Sequence, residues 1–177
     1  GDKRAREENL LDVLQRAGLA VLWVDNQSGC KGVCDRVPNV ATSALTLPGL
    51  CGDGECADLV MLEGLDARIE ALDPARRAKS VVLVMHQMGS HGPAYFRRRP
   101  PDLRPFQPEC VSATLSDCPP EALINAYDNT IAQTDAFLAS TLHWLKGRAD
   151  SGANDTGLIY MSDHGESLGE KGLYLHG

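Results

Sequence analysis

Residues Ser80 to Pro93 read SVVLVMHQMGSHGP. The first six, Ser80 to Met85, run unbroken through β-branched and aliphatic side chains, the composition of a strand covered on both faces. A polar, glycine-bearing loop follows at once, with imidazoles at His86 and His91. The same arrangement recurs twice. Leu19 to Val24 (LAVLWV) ends in Asp25-Asn26-Gln27-Ser28-Gly29-Cys30-Lys31. Leu158 to Met161 (LIYM) ends in Ser162-Asp163-His164-Gly165-Glu166, with His176 close behind. Each apolar run is predicted to be a strand that hands over to a polar loop.

Helical periodicity fills the intervals. Leu10, Leu11, Val13, Leu14 and Ala17 give Ala5 to Ala17 one apolar face, and Gly18 is a plausible stop. Ala57 to Leu72 reads as a second helix, broken by Asp73-Pro74. Glu121 to Gly147 reads as a long third helix, started by Pro119 and Pro120, with His143 a surface or partly buried residue on it. Helix and strand alternate three times, which predicts an α/β fold: a mostly parallel sheet with helices on both faces. Right-handed crossovers then put the three polar loops on one edge of the sheet, where open α/β folds bind ligands. Lys31, His91, Asp163, His164 and His176 are expected to converge there. Asp163 beside His164 offers the oxygen and nitrogen donors that suit zinc. His86 adjoins its strand and reads as structural; His91, between Gly89 and Gly92-Pro93, reads as the functional one. The arginine-rich loop from Tyr95 to Glu109 is either a solvated charge run or a site for an anionic head group.

Hydrophobic content of 43%, charged content of 23% and 177 residues describe a globular chain able to bury a core. A net charge of −7 argues against a nucleic-acid partner. No apolar run reaches membrane-spanning length. The polar start, GDKRAREENL, carries neither signal peptide nor initiator Met, and Leu175-His176-Gly177 stops inside a loop, so the chain is expected to be a piece of a longer protein. Six cysteines fall in three close pairs: Cys30 with Cys34, Cys51 with Cys56, and Cys110 with Cys118. Such pairs suggest short disulfides formed in an oxidising compartment. Zinc is the competing reading, but no pair has the spacing of a zinc knuckle. Fifteen pairings remain open by count alone.

Asp25 to Asp35, His86 to Phe96, Ile124-Asn125-Ala126-Tyr127-Asp128-Asn129 and Tyr160 to Gly177 together resemble the lipid A phosphoethanolamine transferases, which include the enzymes of transferable colistin resistance. The resemblance covers nearly the whole chain, and HQMGSHGPAYF with DHGESLGE is its most specific part. It implies part of one domain of the alkaline phosphatase and sulfatase type, periplasmic, and tethered to the inner membrane by N-terminal helices that this chain lacks. It implies transfer of phosphoethanolamine from phosphatidylethanolamine to a lipid A phosphate, with a threonine nucleophile and zinc. By motif match Asp163 and His164 are zinc ligands, His91 and His176 surround the phosphoryl group and sometimes hold a second zinc, and Lys31 contacts the phosphoethanolamine. The cysteines match three local disulfides of the family.

This chain departs from that pattern at both ends. The family's threonine and a glutamate ligand have no counterpart; Thr42, Thr46 and Thr114 lie in the wrong context, and the family continues past His176. The expectation is a chain inactive alone and an active longer parent. A phosphodiesterase or sulfatase-type hydrolase of the same superfamily is the rival enzyme reading, though no formylglycine motif is present. A non-catalytic, disulfide-rich extracytoplasmic module is the third.

Overall fold

The structure, a computed structural model, describes residues 7–52, 54–152 and 155–176. It divides into two compact units, Gly1–Leu45 with Val60–Gln87, and Thr46–Leu59 with Met88–Gly177.

In the first unit, helix α1 (Leu10–Arg16) begins at a capping box: the Asn9 side chain accepts from the Leu11 and Asp12 amides, and Asp12 accepts from the Asn9 amide. Arg36 grips the same carboxylate at 2.6 and 2.7 Å, and these hydrogen bonds hold the Asp12 carboxyl down at about 2. The helix was expected from Ala5; residues 1–6 lie outside those described, and the cap at Asn9 sets its start. Gly18, at φ 88°, ends it as expected. Strand β1 (Ala20–Asp25) follows, nearly all of it buried. Strand β5 (Val81–His86) pairs with it in parallel, Ala20 opposite Val81 and Asp25 opposite His86. A short strand unrecognised in the sequence, β2 (Asn39–Ala41), pairs on the other side, giving the parallel order β2-β1-β5. Leu11, Val21, Cys34 and Val37 form a core on this sheet, with Leu14, Val82 and Val84 against it. Because Asp25 and His86 are in register, the loops leaving β1 and β5 start at the same level.

The helix expected over Ala57 to Leu72 is two pieces, a 3-10 turn at Asp58–Leu62 and helix α2 (Leu65–Glu70). Gly64 separates them in the left-handed conformation, φ 64°, which interrupts the hydrogen-bond ladder that the apolar spacing alone would allow. Asp73 then caps the short helix α3 (Pro74–Arg77).

In the second unit, strands β3 (Cys51–Gly52) and β4 (Glu55–Cys56) make a hairpin stapled by Cys51–Cys56; its tip residue, Asp53, lies outside those described. Cys30–Cys34 and Cys110–Cys118 are also bonded, so the three local pairs are disulfides and the zinc reading of the cysteines falls. Helix α4 (Pro120–Asp150) is the long helix, with His143 exposed on it. Leu123 and Ala126 pack under Tyr95, Cys110 and Leu115. Beside this apolar patch the helix buries Asn129, Thr130, Gln133 and Thr134. Asn129 pairs with both the amide and the carbonyl of Phe106 and donates to Glu109, which in turn holds Arg99. Arg98 is buried against Glu55. Two of the arginines read as a possible solvated run are therefore internal ties of the Tyr95–Glu109 loop.

The third expected strand is absent. Leu158 to Met161 joins no ladder among the described residues, and Ile159 and Met161 are 91% and 79% exposed. An apolar run becomes a strand only when a neighbour takes its backbone hydrogen bonds, and no described segment does so here. The linker ahead of it includes residues 153 and 154, which lie outside those described. Strands β6 (Ser167–Leu168) and β7 (Tyr174–Leu175) form a small hairpin after it.

Candidate functional site

The site of the second unit is built on the loop that runs on from His86 into the 88–93 turn. Asp58, fully buried, accepts from the Met88 and Gly89 amides at 2.9 Å each and fixes the start of the turn. Arg98 donates to the His91 carbonyl at 2.8 Å and fixes its end. Gly92 must be glycine: an added Cβ would sit 2.4 Å from the Leu175 side chain and 2.9 Å from the Tyr95 hydroxyl. This close approach brings β7, and His176 just beyond it, against the loop.

Three imidazoles meet as a result. The His91 and His176 rings are 5.0 Å apart, His164 and His176 4.4 Å, and His91 and His164 6.2 Å, between centroids. Glu166 lies among them with its side chain 3% exposed, 3.4 Å from His176 Nδ1. It accepts from the Tyr95 hydroxyl at 3.0 Å and the Gly92 amide at 3.2 Å. Burial, then the Glu166 charge and hydrogen bond, push the Tyr95 phenol well above its ordinary range, so Tyr95 serves as a fixed donor. Ligand atoms of His91, Glu166 and His176 all lie within 4.8 Å of one another, a compact nitrogen and oxygen set for a cation.

Asp163 and His164 form an adjoining pair. His164 Nδ1 lies 2.9 Å from the Gly165 carbonyl, which leaves Nε2 as the ligand nitrogen. Asp163 Oδ2 is 3.7 Å from that Nε2. Two ligands of one tetrahedral zinc, with bonds near 2.0–2.1 Å, stand about 3.3 Å apart, so the pair fits a zinc ion after a small adjustment. His91 repeats the device, with Nδ1 2.8 Å from the Gly92 carbonyl. The Asp163 side chain is 84% exposed.

Of the residues singled out in the sequence, the structure brings the rings of His91, His164 and His176 together in one unit, with Asp163 beside His164. Lys31 belongs to the first unit, exposed on the loop after β1 with a left-handed backbone, φ 49°, that lysine rarely adopts. Such strain in a non-glycine residue is often kept where a side chain must be aimed. Thr42 is buried, its hydroxyl committed to Asp25 and Asn26. Glu166 was missed by sequence reasoning. Its signal was available: a carboxylate two residues after His164 in the same motif.

The sulfatase family model matches residues 1–177. The phosphoethanolamine transferase EptA of Salmonella typhimurium is 48% identical over 171 residues, 97% of this chain and 30% of that protein. The phosphatidylethanolamine transferase Mcr-1 of Escherichia coli is 42% identical over 182 residues, 99% of this chain and 32% of that protein. Among solved structures, the integral membrane protein lipooligosaccharide phosphoethanolamine transferase A from Neisseria meningitidis superposes with a TM-score of 0.84 at 41% identity, over 97% of this chain and 31% of that one. The chain thus spans about three-tenths of the length of the curated relatives it matches.

Proposed function

Because the chain belongs to the sulfatase family, we propose that it is part of the catalytic domain of a transferase that moves phosphoethanolamine from phosphatidylethanolamine to a lipid A phosphate. The observation that carries this reading is the meeting of His91, His164 and His176 around the buried carboxylate of Glu166. A plain binding module has no need to cluster three imidazoles and two carboxylates, whereas phosphoryl transfer needs donors placed where charge develops.

Asp163 and His164 would hold zinc, and by the family resemblance a threonine and a glutamate outside this chain would complete the set. Zinc, when bound, supplies a Lewis acid that draws charge from a phosphoryl oxygen. His91 and His176 hydrogen-bond the phosphoryl oxygens, and Glu166 keeps His176 turned toward them. Lys31, by its motif match, would contact the phosphate of the head group. The threonine oxygen would displace diacylglycerol from the donor phosphorus, the hydroxyl proton leaving with the glycerol oxygen, and a lipid A phosphate oxygen would then displace the threonine, so two easier displacements replace one. The added ammonium offsets the negative charge of lipid A, which weakens its attraction for cationic polymyxins such as colistin.

The whole protein is anchored in the inner membrane, with this part in the periplasm. Three disulfides suit an oxidising compartment. Among the described residues no helix is long and apolar enough to cross a membrane.

Mass spectrometry of lipid A from cells producing the whole protein tests the reading. The expected result is a mass increase of one phosphoethanolamine with the wild type and none with His164→Ala. Unmodified lipid A together with release of free phosphoethanolamine would replace the transferase by the superfamily's hydrolase. Equal modification by both proteins would remove His164 from the chemistry.

A further inference from the structure

A second histidine site lies in the first unit, where β1 and β5 end together. His86 Nδ1 is 2.6 Å from Asp25 Oδ1, and the Asp25 side chain is 5% exposed. The Trp23 indole N–H donates to the same oxygen at 3.3 Å. The other oxygen, Oδ2, accepts from the Gly29 amide at 2.9 Å, two residues before Lys31. Asn26 N–H donates to the His86 carbonyl at 2.9 Å. One buried carboxylate thus ties the imidazole and the Lys31 loop to the same point.

A carboxylate can only accept, so the Asp25 contact places a proton on Nδ1, and in the neutral imidazole Nε2 is then the acceptor. Among the described residues no partner takes Nε2, and the His86 side chain is 31% exposed. A histidine kept only for packing has no need of a buried aspartate to select its tautomer. The Trp23 ring stands 5.2 Å from the imidazole, tilted by 55°. An acceptor nitrogen on a partly exposed imidazole next to an indole is a suitable environment for a cation that carries N–H groups.

We propose that His86, positioned by Asp25, accepts a hydrogen bond from the primary ammonium of the phosphoethanolamine head group, so that this corner reads the amine of the donor lipid. The inference rests on the transferase reading and deepens it. A zwitterionic head group needs a cation for its phosphate and an acceptor for its ammonium. Lys31 supplies the first and His86 Nε2 the second, while Asp25 holds the imidazole directly and the Lys31 loop at Gly29.

The whole protein in membranes is given phosphatidylethanolamine or its N,N,N-trimethyl counterpart, phosphatidylcholine, which keeps the charge and loses every N–H. The wild type is expected to prefer the primary amine at least tenfold in kcat/KM. His86→Asn keeps a side-chain N–H for Asp25 and lacks Nε2. It is expected to melt with the wild type, raise KM for phosphatidylethanolamine about tenfold, the scale of one lost charge-assisted hydrogen bond, and lose most of the preference. His86→Gln, which places a polar group near Nε2, is expected to recover part of it. Equal use of both donors by the wild type overturns the proposal whatever the variants do. An unchanged KM and preference in H86N overturns it while leaving the transferase reading intact. Failure of the wild type to transfer from either donor removes that reading and the proposal together.

Discussion

Two apolar runs that read alike in the sequence part company in the fold. Val81–His86 is a strand because β1 takes its backbone hydrogen bonds along its whole length. Leu158 to Met161 is just as apolar, yet it joins no ladder among the described residues and leaves Ile159 91% exposed. The difference teaches that apolar sequence states an appetite for burial, while the partner decides whether a strand forms. It also separates the two halves of the candidate site. His91 rides on a turn fixed by Asp58 and Arg98, and Glu166 is seated under Tyr95. Asp163, at the end of the unpaired run, is 84% exposed and has His164 as its neighbour.

The sharpest way to break this comparison is to ask whether the exposed half does chemistry. His164→Ala and Asp163→Ala in the whole protein are each expected to lower transfer by at least about 10²-fold. Asp163 is 84% exposed and His164 38%, so the melting temperature of the zinc-free protein should hold in both variants; a matching loss of stability there would make the pair structural.

The next largest effect lies on the buried side. Asn129→Ala should cost about 3 kcal/mol in urea unfolding of the whole protein, since it strands the Phe106 amide and carbonyl together with a bond to Glu109. Leu22→Ala, in the paired strand, should cost about 2–5 kcal/mol.

A pH titration probes the seat of Glu166. The Tyr95 phenol is raised above its ordinary value of 10.0 in the fold, by burial first and by Glu166 second. The unfolded chain therefore releases that proton first, and stability should fall as pH rises beyond about 10. Tyr95→Phe should flatten this fall; an unchanged slope would show that the phenol is not the group responsible. The smallest effect is expected at Ile159→Ser in the 177-residue chain, within about 0.5 kcal/mol of the parent in urea unfolding. A loss above about 1 kcal/mol would show that the run is packed after all.

Much of this was legible in sequence because local chemistry announces it. The strands around Leu22 and Val84, the stop at Gly18, the long helix with its Pro start and the three close cysteine pairs all follow from residues near one another. The α/β class followed from their order. What stayed hidden depends on partners far along the chain. Asn39–Ala41 is too short to show a period and is a strand only because Trp23 to Asp25 lie beside it. Gly64 broke a helix whose apolar spacing was otherwise continuous. Glu166 gained its role from Tyr95 and Gly92, more than seventy positions away. His86, read as structural, owes its defined tautomer to Asp25 across the sheet.

Zinc-edge anomalous scattering from crystals of the whole protein grown with zinc tests most directly whether the imidazole cluster is a metal and phosphoryl site. The expected result is a peak bonded to His164 Nε2 and Asp163, with His91, Glu166 and His176 facing the position beside it. Ordered zinc found only elsewhere, with Asp163 and His164 turned away from each other, would contradict the proposed site.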